Sequence, residues 1–118
     1  MKELSVAIRD DGPVRVIELT GFLDAHNSQE LCLALDAALQ AKRFRATLDL
    51  KGLQYMGSAG IEAIISRLGR FRDQQGDIRL AAAAPKVVKV FELLGLAGII
   101  SFHASAKEAV AAFSSATS

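Results

Sequence analysis

The chain has 118 residues, 51% of them hydrophobic, and a formal net charge of +1. One domain of this length buries about two-thirds of its unfolded surface, so it needs no disulfide or metal to hold it. The apolar fraction excludes wholesale disorder, and the near-neutral charge excludes a field that would draw in nucleic acid or an acidic membrane.

Leu4, Val6 and Ile8 alternate with Glu3, Ser5, Ala7 and Arg9, the pattern of a half-buried strand. Asp10-Asp11-Gly12 is a turn signal, and residues 14–19 return as a second strand, which makes an antiparallel hairpin. Asn27 with Glu30 reads as a capping box, opening a helix whose stripe is Leu31, Ala34, Leu35, Ala38 and Leu39. Cys32 falls among these positions, which favours a buried thiol over a reactive one. Residues 46–50 form the third strand, and a loop leads to Gly57-Ser58-Ala59-Gly60, a patch with almost no side-chain bulk. A helix over residues 58–74 follows, with Ile61, Ile64, Ile65 and Leu68 on one face. Ile78, Leu80 and Ala82 alternate as a fourth strand. Pro85 suits the first turn of a third helix, Val87, Val90, Phe91 and Leu94 make its buried face, and Gly95 stops it. A short strand is expected at residues 99–102. Ser105 with Glu108 caps a last helix with Val110 and Phe113 inward, and residues 114–118 are expected to fray.

Strand–helix–strand units join parallel strands through right-handed crossovers, so the expected architecture is an α/β mixed sheet, a single domain over residues 1–118. The loops at 21–26, 54–57 and 83–84 all leave strand C-termini and gather at one edge. Ser58 and Asp24 should therefore be neighbours in space. No run approaches the roughly 20 apolar residues of a membrane span, and the opening residues alternate and carry acids, unlike a signal peptide. With one cysteine and no internal disulfide, the expected location is cytoplasmic, with no direct membrane insertion.

The chemistry narrows to Ser58. No Cys or His lies at metal-ligand spacing, and no catalytic residue or cofactor is expected. Gly57 directly before Ser58 departs from the G-x-S-x-G pattern of a nucleophile elbow, and only His26 could share its edge as a base. The glycines lack the Lys-Ser/Thr of a phosphate loop. Lys42, Arg43, Arg45, Arg67, Arg70 and Arg72 read as solvated faces. Phe22 is either core or an exposed anchor on the same edge. Ser58 is either a plain N-cap or a hydroxyl offered at a helix start, where unpaired N–H groups and a partial positive charge suit a phosphoryl group.

Three segments resemble, in order and spacing, the STAS domain shared by bacterial anti-sigma factor antagonists and the cytoplasmic tails of sulfate transporters. They are Thr20-Gly21-Phe22-Leu23-Asp24, Leu48-Asp49-Leu50 with Met56-Gly57-Ser58-Ala59-Gly60-Ile61, and Val87 with Phe91-Glu92-Leu93-Leu94-Gly95-Leu96. The resemblance implies a mixed sheet with an N-terminal hairpin and about four helices packed on it. It also implies that Ser58 is phosphorylated by a serine-kinase anti-sigma factor of the GHKL type, that a serine phosphatase acts on phospho-Ser58, and that Asp24 is an acid beside the site. Phe22, Asp24, Met56, Gly57, Ser58, Ala59 and Glu62 form the expected partner surface, with Met56 and Glu62 outside the deep core. Gly57 stands where the family usually has Asp, and Ala59 where a second hydroxyl often follows. The missing acid removes a like charge beside a phosphate. Two other readings are a non-phosphorylated STAS subunit of a larger assembly (a lipid-transport ATPase complex or a stress-signalling scaffold) and a small hydrolase using Ser58.

Overall fold

The computed structural model describes residues 3–116, with side chains through Ser114. β1 (Leu4–Asp11) and β2 (Val14–Leu23) make the antiparallel hairpin. Gly12 opens its two-residue turn at φ +59°, a conformation open to glycine at little cost. Leu4 and Val6 turn partly inward, while Ile8 is exposed on this edge strand. Then come α1 (Ser28–Gln40), β3 (Arg45–Met56), α2 (Ser58–Asp73), β4 (Asp77–Ala81), α3 (Pro85–Leu93), β5 (Ser101–His103) and α4 (Ala106–Ala116). The sheet order is β1-β2-β3-β4-β5, and every pair after the hairpin is parallel. Chain order and spatial order coincide.

Both sheet faces are covered, by different helices. The stripes of α1 (Leu31, Leu35, Ala38) and α2 (Ile61, Ile64, Leu68, Phe71) share one core with Ile17, Leu48, Leu50, Ile78 and Leu80. Side chains alternate along a strand, so Thr47 and Arg79, paired in register, face the other way. There α4 packs, with the Arg79 guanidinium 4.7 Å from the centre of the Phe113 ring. Ala109 and Phe113 carry the burial in α4 and Val110 is only half-buried, a rotation of the expected face. α4 continues to Ala116, so the fraying expected over residues 114–118 does not begin at Ser114, and its last two residues lie outside the described residues. Among the described residues no helix is long and apolar enough to cross a membrane.

Several local expectations are corrected. β2 runs to Leu23 and β3 to Met56, so the loops at the site's edge shrink to residues 24–27 and to Gly57 alone. Leu94 is 56% exposed because α3 ends at Leu93 and its stripe with it. Asn27 is the N-cap position of α1 but its side chain makes no capping bond. Ser105 does cap, its Oγ accepting from the Glu108 N–H at 3.1 Å. Arg67 and Arg72 are not merely solvated: they pair with Asp36 and Asp77 at 2.9 and 3.0 Å.

Candidate functional site

The edge where β2, β3 and α2 meet is closed by one backbone bond. The Gly57 N–H donates to the Leu23 carbonyl at 2.8 Å, just past the rung that pairs Leu23 with Met56. Asp24 and Ser58 are the residues that follow, so the two strands deliver them from one point.

Each has its own local cause. Asp24 is fixed by a turn: its Oδ1 accepts from the His26 N–H at 2.9 Å, and its own N–H donates to Asn27 Oδ1 at 3.0 Å. Asn27 Nδ2 donates in turn to the Phe22 carbonyl at 2.8 Å. Asn27 is 6% exposed, and its amide serves the loop instead of the helix end. Phe22 is half-buried between these contacts.

Ser58 is held by close packing beneath it. A Cβ on Gly60 would lie 2.7 Å from Leu23 Cδ2 and 3.1 Å from Met56 Cγ, so glycine lets the first turn of α2 settle onto the strand ends. Gly57, not Ser58, is the N-cap; its carbonyl accepts from the N–H groups of Gly60 and Ile61. Ser58 is the first helical residue, exposed, and its hydroxyl has no hydrogen-bond partner among the described residues. The plain capping role therefore fails, and no base holds the hydroxyl as a nucleophile's would. The first turn of α2 carries no acid, so no carboxylate within it offsets the partial positive charge of the helix end. Among the described residues no group of three or more His, Cys, Asp or Glu is placed to hold a metal ion.

Ser58 also stands on the rim of an apolar groove of about 350 Å³ between α2 and the end of α3, lined by Ile61, Ile65, Leu94 and Leu96. A smaller groove of about 140 Å³ lies on the other flank of α2, between Ala59, Cys32, Ser28 and Arg67. Glu62, one turn after Ser58, lines both and is exposed on the ridge between them. Arg67 closes the second groove through two hydrogen bonds to Asp36, at 2.9 and 3.2 Å, and these push its pKa up.

Of the expected surface residues, Asp24, Ser58, Ala59, Glu62, Gly57 and Phe22 lie at this edge and are exposed or half-buried. Met56 does not belong with them: at 4% exposure it is part of the core, under Gly60. Tyr55, Leu94 and Leu96 were not expected here. Tyr55 was hidden in a supposed loop, and Leu94 in a supposed buried stripe.

Comparison with known proteins places the chain in a family. The sequence profile of the STAS domain matches residues 5–109. A candidate anti-sigma factor antagonist of Bordetella bronchiseptica, BtrV, is 33% identical over 98 residues, 83% of this chain and 84% of that protein. The anti-sigma F factor antagonist of Paenibacillus polymyxa is 27% identical over 101 residues, 85% of this chain and 86% of its own. The phosphorylated form of the Bacillus cell fate determinant SpoIIAA superposes with a TM-score of 0.74 at 22% identity, covering 92% of this chain and 99% of that one. The last likeness shows the fold.

Proposed function

The chain belongs to the STAS domain family, and from that premise we propose that it is an anti-sigma factor antagonist switched by phosphorylation of Ser58. It is a binding module and a substrate, not an enzyme. Its partner is a serine-kinase anti-sigma factor of the GHKL type, engaged through the edge that carries Phe22, Asp24, Gly57, Ser58, Ala59 and Glu62. Met56 supports this surface from below. Two relatives bear the name of antagonists, and a protein of the same fold has been solved with a phosphoryl group attached.

The observation that carries the reading is the state of Ser58. It is an exposed hydroxyl, without a partner among the described residues, at a helix start whose first turn holds no acid, on the rim of an apolar groove. In the transfer, Ser58 Oγ bonds to the γ-phosphorus of ATP, the bond to ADP breaks, and the hydroxyl proton leaves to solvent or to the kinase. The product places a charge of about −1.5 to −2 where a partner would pack against an apolar rim. The helix end stabilises that charge in the free protein, and desolvation penalises it in the complex. A serine phosphatase, adding water across the Oγ–P bond, restores the binding form.

Capture of the tagged full chain's partners from its native cells tests the reading. A GHKL-type kinase that binds the unmodified chain and modifies Ser58 is the expected result. Stable recovery with a lipid-transport ATPase or a signalling scaffold, with Ser58 unmodified, would contradict it.

A further inference from the structure

Tyr55 is the large side chain that lies over the glycine before Ser58. A Cβ on Gly57 would sit 3.0 Å from Tyr55 Oη and 3.2 Å from Cε2. Gly57 itself takes φ −86° and ψ 176°, extended backbone that any residue adopts, so what the glycine supplies is space. The ring is 48% exposed, and its hydroxyl, like that of Ser58, has no hydrogen-bond partner among the described residues. One partnerless hydroxyl thus lies against the bare face of Gly57, and a second is carried by the next residue in the chain. Adjacent Cα atoms are about 3.8 Å apart, which brings the phenol within a side chain's reach of a group carried by Ser58. A phenol O–H is a donor, and a phosphoryl dianion presents three acceptor oxygens.

We infer that Tyr55 is a positioning residue for the phosphorylated state of Ser58, its phenol O–H donating to the phosphoryl oxygens across the space that Gly57 leaves open. The inference rests on Ser58 being the phosphorylated residue. It gives the Tyr55–Gly57 pair one physical purpose. A side chain at position 57 would press on the ring, and an acidic one would set a like charge beside the phosphate. With glycine there, the dianion meets a donor instead of a carboxylate. Tyr55 thereby favours the switched-off state and holds the phosphoryl group in one place at the rim of the groove.

Phosphoserine installed at position 58 during translation allows a test that needs no kinase. The second ionisation of the phosphoryl group is followed by phosphorus NMR in the full chain and in Tyr55→Phe, which keeps the ring and so the packing. A hydrogen bond to the charged form lowers a pKa, so Tyr55→Phe should raise the midpoint by about half a pH unit, and Gly57→Asp should raise it as well. In the unmodified background, phosphorylation should also move the Tyr55 Cζ resonance. Identical titrations for the full chain and Tyr55→Phe, or an unmoved Cζ resonance, would overturn the inference. Because the probe is the installed phosphate, a shifted midpoint supports Tyr55 whether or not a kinase discriminates the two forms; partner affinity tests the switch separately.

Discussion

Glu62 and Met56 flank Ser58 and bear on it in opposite ways. Glu62 is exposed on the ridge of α2 between two grooves, and its carboxylate makes no ion pair among the described residues. Reversing its charge in Glu62→Arg should change stability by no more than about 0.5 kcal/mol, as exposed substitutions do, while weakening partner binding. Met56 is buried under Gly60, so Met56→Ala should cost about 2–5 kcal/mol through the cavity it leaves. Denaturant melts of the two variants separate the roles; a Met56→Ala protein as stable as the parent would contradict the packing. At the far side of the sheet, His103 offers a pH prediction. Burial lowers its pKa from 6.5, and the Arg79 guanidinium, 3.4 Å away, lowers it further against weaker opposition from Glu108 and Asp77. The folded state therefore favours the neutral ring. Its contribution to stability is complete above pH 6.5 and is lost as pH falls through the depressed value. An NMR titration of His103 should show a midpoint below 6.5 that rises in Arg79→Gln; a midpoint at or above 6.5 in the parent would contradict this.

At the scale of the elements, the site depends on two things the β2–β3 pairing does. It brings Leu23 and Met56 level, and it skips. Between Glu18 and Thr20 the partners on β3 advance from Asp49 to Gly52, and between Gly21 and Phe22 they advance from Leu53 to Tyr55. Each extra residue on β3 is a bulge that moves the following side chains to the other face. Leu48 and Leu50 point into the core, then Leu53, then Met56. That broken period is why the strand seemed to end at residue 50 and why Met56 and Tyr55 were misplaced as loop residues. The helices were legible because their 3.6-residue stripes are uninterrupted, and the parallel order followed from the crossovers. From that order alone Ser58 and Asp24 could be set at one edge. The role of Asn27 was not legible, because a capping box and a loop clamp call for the same residue. Asn27→Ala should remove both clamp bonds, leaving the Asp24 N–H without its partner, at a cost of about 1–3 kcal/mol. Hydrogen exchange should show the loss as faster exchange of the Asp24 amide; unchanged protection there would mean the clamp is dispensable.

For the whole molecule, the proposal is that one phosphoryl group separates binding from folding. The net charge is only +1, so a charge of about −2 changes its sign without loading the domain with repulsion. At the free edge the helix end offers about 0.3–1 kcal/mol in favour of the phosphate. In a packed complex, desolvating an unpaired charge costs several kcal/mol, and each 1.4 kcal/mol is tenfold in affinity. The direct measurement is a titration of the purified cognate anti-sigma factor with the unmodified chain and with the chain phosphorylated at Ser58, each form also melted. The account predicts an affinity loss of about a hundredfold or more on phosphorylation, with a cooperative melting transition retained. Equal affinity of the two forms, or loss of that transition on phosphorylation, would contradict it.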